Sequence, residues 1–330
     1  MKIAILDDYQ DAVRGLDCFQ MLEGHEVKVF TSSTRGLGQL AIRLAPFDAL
    51  VLIRERTTFP RALLARLPNL KLISQTGKVS GHIDVAAASE HGIAIAEGVG
   101  SPTAPAELTW ALIMAASRKI VPYANNLKDG LWQTASINPV LNGVGRVLQG
   151  RTLGLWSYGK IGRLVAGYAR AFGMRVIVWG SEASRQAAIA DGFEAAPSRE
   201  ALFEQADVLS LHLRLADSTR GIVTAADLAR MKPDALFVNT SRAELVEEGA
   251  LEAALRRGRP GSAALDVFTS EPLPGDAELL HIPTVLATPH LGYVEKDSYE
   301  LYFRSAFENV LRFAQGEPSN ILNPEALAQR

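Results

Sequence analysis

Arg242, Glu271 and His290 each stand in a short segment whose composition is better explained by chemistry than by packing. Together they offer a cation for a carboxylate, a proton carrier, and an anion to tune that carrier. Arg242 closes Val238-Asn239-Thr240-Ser241-Arg242, directly after the apolar run Ala235-Leu236-Phe237, which puts it at the carboxyl end of a predicted strand. Glu271 follows Ala264-Leu265-Asp266-Val267-Phe268 in the same way, and His290 follows Thr284-Val285-Leu286-Ala287-Thr288-Pro289. Ligands of open α/β sheets bind at that edge, so three strand ends delivering Arg, Glu and His predict one site. Two of the three also have a structural alternative: Glu271 as the opening of a turn before Pro272, His290 as a capping or satisfied loop residue.

The elements that must position them read as a doubly wound α/β chain, with short apolar runs alternating with segments of helical period. The first series of predicted strands covers Ile3 to Leu6, Glu26 to Phe30, Ala49 to Ile53, Leu70 to Ser74 and Ala94 to Ala96. A helix over Thr103 to Ser117, entered through Ser101-Pro102, separates it from a second series. That series covers Thr152 to Trp156, Arg175 to Trp179, Val208 to Leu211, Leu236 to Asn239, Ser262 to Val267 and Thr284 to Ala287. A tail helix is predicted over Ser298 to Gln315. Two series in 330 residues imply two Rossmann-like parallel-sheet domains, since single cores tend to split beyond ~250 to 300 residues.

Composition narrows the function classes. Lys plus Arg is 34 against 36 for Asp plus Glu, a net charge of −2, so nothing advertises a nucleic-acid or anionic-membrane surface. Cys18 has no internal partner, which fits a reducing compartment. The chain starts directly into Lys2-Ile3-Ala4-Ile5-Leu6, without a signal-peptide pattern or a membrane-length apolar run. The expected location is the cytoplasm.

One binding motif stands at the start of the second series. Leu153-Gly154-Leu155-Trp156-Ser157-Tyr158-Gly159-Lys160-Ile161-Gly162 is a glycine-poor form of G-x-G-x-x-G between a predicted strand and a helix from Arg163 to Phe172. Such a loop makes a tight turn, lets backbone approach a pyrophosphate, and offers the phosphates a helix amino terminus. Gly159 and Gly162 meet the later needs, while Ser157 holds the first glycine position. The acidic residue expected about 20 positions on is replaced by Gly180 in Val178-Trp179-Gly180-Ser181-Glu182-Ala183-Ser184-Arg185. Ser181 and Arg185 there suit a 2′-phosphate, which tilts the cofactor from NAD toward NADP. Glu182 leaves the ribose-hydroxyl alternative open.

Asp207-Val208-Leu209-Ser210-Leu211-His212-Leu213, Asn239-Thr240-Ser241-Arg242, Ala264 to Pro274 and Thr288-Pro289-His290-Leu291-Gly292 resemble the D-isomer-specific 2-hydroxyacid dehydrogenases. The resemblance runs in order through essentially the whole chain. It implies NAD(P)-dependent hydride transfer between a D-2-hydroxy acid and its 2-oxo acid, with Arg242, Glu271 and His290 catalytic. It also implies a discontinuous substrate domain, 1–99 plus 293–330, a dinucleotide domain over 100–292, and an active site in the cleft between them. Within this reading His290 gives the proton to the developing alkoxide, Glu271 tunes and orients the ring, and the Arg242 fork pairs with the substrate carboxylate. Asp266 would meet the nicotinamide carboxamide, Thr240 and His212 would line the cofactor site, and Arg214 replaces a usual proline.

The resemblance extends to a substrate loop, Ile73-Ser74-Gln75-Thr76-Gly77-Lys78-Val79-Ser80-Gly81-His82-Ile83-Asp84, whose backbone N–H groups at Gly77, Lys78 and Val79 would hold the acid. Val79 replaces a second glycine there, and Lys78 an apolar residue. A cleft-facing Lys78 would favour a second acidic group on the substrate; a solvent-facing one would not. Similar proteins pair through the region that here spans Thr103 to Trp132 and includes Glu107 and Trp110, so a homodimer is expected. Alternatives on the same fold are a dinucleotide-sensing corepressor, a formate dehydrogenase, and a phosphoglycerate dehydrogenase without its regulatory domain.

Overall fold

The structure, a computed structural model, describes residues 1–34 and 36–329. Contacts divide the chain into two compact units: Met1–Ser101 with the tail from Val294 onward, and Pro102–Tyr293.

The first unit holds β1 (Lys2–Ile5), β2 (Glu26–Val29), β3 (Ala49–Leu52), β4 (Leu72–Gln75) and β5 (Ala94–Ala96). They form a wholly parallel sheet in the order β2-β1-β3-β4-β5. β3 and β4 are buried at every position, as strands covered on both faces must be, which explains the wholly apolar β3 and the apolar start of β4 before Ser74 and Gln75. The unit is closed by the tail. Leu322 N–H donates to Ile95 O at 2.7 Å, and the buried Asn323 accepts Ile95 N–H at 2.7 Å while donating to Ile93 O at 3.0 Å. The helix Lys296–Ala314 buries Tyr299, Phe303, Phe307 and Val310 along one stripe, at the spacing of an amphipathic helix.

The second unit holds β6 (Thr152–Trp156), β7 (Arg175–Trp179), β8 (Glu194–Ala195), β9 (Val208–Leu211), β10 (Leu236–Asn239), β11 (Ser262–Leu265) and β12 (Val285–Ala287). Its parallel sheet runs β12-β11-β10-β9-β6-β7-β8, so the winding reverses between β6 and β9, where dinucleotides bind such sheets. Helices on its two faces give two cores, one around Phe203, Phe237 and Leu228, the other around Leu155, Val165 and Ile113.

Eleven strands were legible in the apolar runs, within a residue or two at their ends. β8 was not, because two residues with an exposed Glu194 carry no period. The helix Ile120–Lys128 also escaped notice, since none of its residues is buried and no apolar stripe marks it. The preceding helix, Thr103–Ser117, buries Ala106, Leu112 and Ile113 in the core of its own unit. Much of its apolar content is therefore spent on internal packing, and the run of exposed apolar residues from Ile120 to Val147 follows it.

Candidate active site

Arg242, Glu271 and His290 all lie beyond the carboxyl ends of β10, β11 and β12. Asn239, the last residue of β10, accepts Ser241 N–H at 3.0 Å and donates from Nδ2 to Arg242 O at 2.8 Å. Ser241 Oγ donates to Leu211 O at 2.7 Å, tying the same turn to the end of β9. Arg242 therefore projects from a loop held at two strand ends.

Glu271 Oε2 meets His290 Nδ1 at 2.6 Å, and Glu271 Oε1 accepts Phe268 N–H at 2.9 Å. Burial pushes the Glu271 carboxyl up, but the His290 hydrogen bond and charge, the Phe268 N–H and the Arg242 charge outweigh it and hold the group below its ordinary value. With Nδ1 committed to the carboxylate, Nε2 is the ring position left for proton exchange. The side chains of His290 and Glu271 are 22% and 35% exposed, so a solute can reach them.

His290 sits in the left-handed region at φ 53°, which a non-glycine residue adopts only when its surroundings hold it there. Asp266 does the holding. It is fully buried, and its Oδ1 takes Thr288 Oγ1 at 2.6 Å and Leu291 N–H at 2.7 Å, while Oδ2 takes Gly292 N–H at 2.9 Å. Burial raises the Asp266 carboxyl above its ordinary value despite these donors and the His290 charge. Asp266, expected at the nicotinamide carboxamide, also accepts three hydrogen bonds from the loop that carries His290. Tyr293 packs edge-on against the imidazole at 5.4 Å.

The turn after β6 fits a pyrophosphate. Ser157 adopts φ 84°, taking the conformation that the missing glycine would supply. A Cβ on Gly159 would meet nothing within 4 Å, so a ligand can approach that backbone, whereas one on Gly162 would lie 2.7 Å from Ser157 O. The helix Lys160–Ala171 has no side-chain cap, leaving its first N–H groups to a bound anion. Lys160 and Ile161 stand in that first turn. Tyr158 contributes backbone only: its ring is buried and its hydroxyl donates to Asp191 at 2.9 Å, with burial pushing its pKa up to about 12.

At the end of β7, Gly180 at φ 153° packs against Ser157, and Ser181 Oγ caps the helix Glu182–Ala190 by accepting Ser184 N–H at 3.3 Å. Arg185 lies over the Trp179 ring at 4.6 Å and is paired with Glu182. Thr240 Oγ1 is 2.7 Å from Thr109 Oγ1, and Arg214 is an exposed loop residue. His212 N–H donates to Trp156 O at 3.0 Å, bridging the two strands at the winding reversal. Its ring lies 3.1 Å from Ser210 Oγ, and burial pushes its pKa down to about 4.

In the first unit, Gly77, Lys78 and Val79 follow β4. Gly77 has φ 110°, and a Cβ there would overlap the Arg54 guanidinium, so the position requires glycine. Lys78 Nζ pairs with Glu97 at 2.7 Å and its side chain is 73% exposed. Val79 N–H donates to the other Glu97 oxygen at 2.9 Å and Gly77 N–H to Gln75 O at 3.0 Å, so two of the three N–H groups expected to hold the acid are engaged within the chain here, because the loop folds back on β4 and onto Glu97. Arg54 and Glu97 were missed by sequence reasoning. The available signal was the one used for Arg242: each directly follows a run of buried strand, Ala49 to Ile53 and Ala94 to Ala96.

Comparison with known proteins places the chain in a family. The family profile described as D-isomer specific 2-hydroxyacid dehydrogenase, NAD binding domain, matches residues 110–292. A glyoxylate reductase of Aeropyrum pernix is 37% identical over 81% of this chain and 81% of its own length. A D-3-phosphoglycerate dehydrogenase of Methanocaldococcus jannaschii is 33% identical over all of this chain and 60% of its own. Among solved structures, a phosphoglycerate oxidoreductase from Vibrio cholerae is 58% identical with a TM-score of 0.92, covering 96% of this chain and 99% of that one.

The depressed His212 value has a consequence for stability. The unfolded chain takes up this proton near 6.5, the folded chain only near 4, so stability is expected to fall as pH drops through that window. About 1.4 kcal/mol per pH unit bounds the loss at about 3 kcal/mol, and the partial exposure of His212 keeps it below that bound. Urea unfolding of wild type and His212→Gln from pH 7 to 4.5 checks it; identical pH slopes would refute the assignment.

Proposed function

The chain belongs to the D-isomer specific 2-hydroxyacid dehydrogenases, and on that premise we propose that Arg242, Glu271 and His290 carry its nicotinamide-dependent oxidoreduction of a small 2-hydroxy acid. The observation that supports this most is the 2.6 Å bond between His290 Nδ1 and Glu271 at the carboxyl edge of the cofactor sheet. When bound, the reduced nicotinamide supplies the hydride. His290 holds a proton at Nε2 for the carbonyl oxygen as negative charge develops there, and the Glu271 carboxylate fixes the ring through Nδ1. Arg242 offers a planar fork to the acid group.

In this reading the Pro102–Tyr293 unit binds the dinucleotide, through the backbone from Ser157 to Gly162 and the residues near Thr240 and His212. The unit containing Gly77, Lys78 and Val79 receives the acid. Asp266 acts beneath His290 as a positioning residue. His290→Ala is expected to lower kcat by about 10² to 10⁴ with NAD(P)H affinity nearly unchanged. Steady-state kinetics with a 2-oxo acid, alongside nucleotide titration by fluorescence, checks both halves; retention of substantial turnover removes His290 as the acid.

We assign NADP as the preferred nucleotide. Support comes from Gly180 at the position of the usual acid and from the Ser181 and Arg185 side chains beside it, with Arg185 braced on Trp179. A 2′-phosphate would compete with Glu182 for Arg185 through a charge-assisted bidentate bond. Arg185→Ala is expected to lower kcat/KM for NADPH at least about tenfold, at roughly 1.4 kcal/mol per decade, and to leave NADH less affected. An equal loss for both nucleotides rejects the clamp.

The protein acts as a homodimer in this proposal. The helix Ile120–Lys128 buries nothing, and Trp132, Ile137, Val140 and Val144 beyond it are 76 to 89% exposed. Apolar exposure on that scale marks an interaction surface. Light scattering at low concentration is expected to give twice the 35.6 kDa chain mass; a monomer mass refutes it.

A further inference from the structure

The loops after β4 and β5 meet more closely than side chains allow. Gly98 N–H donates to Gly77 O at 2.8 Å. A Cβ on Gly98 would lie 2.6 Å from Gln75 O and 2.7 Å from Gly77 N, so only glycine lets the two loops touch. That contact carries Glu97, the residue before it, onto the donors of Lys78 and Val79. Glu97 Oε2 takes the Lys78 ammonium at 2.7 Å and Oε1 accepts Val79 N–H at 2.9 Å.

The backbone of Glu97 is itself anchored. Its N–H donates to Asn320 O at 2.9 Å, and Asn309 Nδ2 donates to its carbonyl at 3.1 Å. The Glu97 side chain is 17% exposed against 73% for Lys78. The anion is the fixed member of the pair, and the long exposed cation is the one free to swing.

We propose that Glu97 is a specificity-determining residue: clamped across Lys78 and Val79, its carboxylate cancels the positive charge of the loop. The site then favours a 2-oxo acid with one carboxylate over one that carries a second anionic group. This rests on the reading of Gly77, Lys78 and Val79 as the loop that receives the acid. A lysine alone in such a loop attracts a second anionic group. A lysine matched at 2.7 Å does not, and a carboxylate arriving beside Glu97 meets a like charge held in place from both sides of the chain. Gln at position 97 keeps an oxygen for Val79 N–H and removes only the charge.

The test uses 2-oxopentanoate and 2-oxoglutarate, which match in chain length and differ in a terminal methyl or carboxylate. The quantity read is kcat/KM for 2-oxoglutarate divided by that for 2-oxopentanoate. Glu97→Gln is expected to raise this ratio about tenfold or more. Lys78→Met is expected to lower it below wild type, and to abolish the gain when added to Glu97→Gln. A ratio unchanged in these variants overturns the proposal, and Lys78→Met alone decides it if Glu97→Gln fails to fold. A wild-type enzyme that reduces neither acid with either nucleotide would instead overturn the reading of the whole site, a result distinct from an unchanged ratio in an active enzyme.

Discussion

A single buried carboxylate holds the candidate site in its working shape. Asp266 ends up fully buried because it directly follows β11, which lies between β10 and β12 in the parallel sheet. A carboxylate there is costly unless donors surround it. The donors it finds are Thr288 Oγ1 and the N–H groups of Leu291 and Gly292, the residues flanking His290. These hydrogen bonds offset both the cost of burying Asp266 and the left-handed backbone of His290: the loop adopts an unusual conformation because that conformation brings its N–H groups to the anion. Glu271 can then meet Nδ1 from the neighbouring strand end.

The same economy of strand ends recurs through both units. Parallel strands point all their carboxyl ends one way, so short loops from β3, β4 and β5 converge, as do those from β6, β9, β10, β11 and β12. Where loops must touch, glycine removes the obstacle: Gly162 against Ser157 O in the turn after β6, Gly98 against Gln75 O and Gly77 N between the loops after β4 and β5. Where charge gathers, it is matched locally. Lys78 faces Glu97, Arg185 faces Glu182, and His290 faces Glu271. Only the last of these pairs joins two different strand ends of the cofactor sheet. The first joins the β4 and β5 loops, and the second lies within one helix turn.

Much of this was legible in residue order. Strands buried on both faces are apolar along most of their length, so the strand series and its parallel character were readable. Arg242, Glu271 and His290 were readable because polar groups with chemistry directly after such runs fall at the ligand edge. Ser157 and Gly180 were readable as departures from a glycine pattern. Arg54 and Glu97 follow the same rule but were passed over, because a charged residue after a strand is also common in ordinary solvated loops.

What sequence alone determined was the fold class, the chemical family, and which strand ends carry Arg242, Glu271 and His290, since period and local order depend only on neighbours along the chain. Tertiary structure decided the partners. That Asp266 braces the His290 loop, that Tyr158 turns inward to Asp191, and that Glu97 covers Lys78 and Val79 are contacts between residues 18 to 33 positions apart, brought together by separate strands. Such pairs form only once the sheets have set the spacing and direction of every loop, and a one-dimensional pattern holds no information about which donor a buried acceptor will meet.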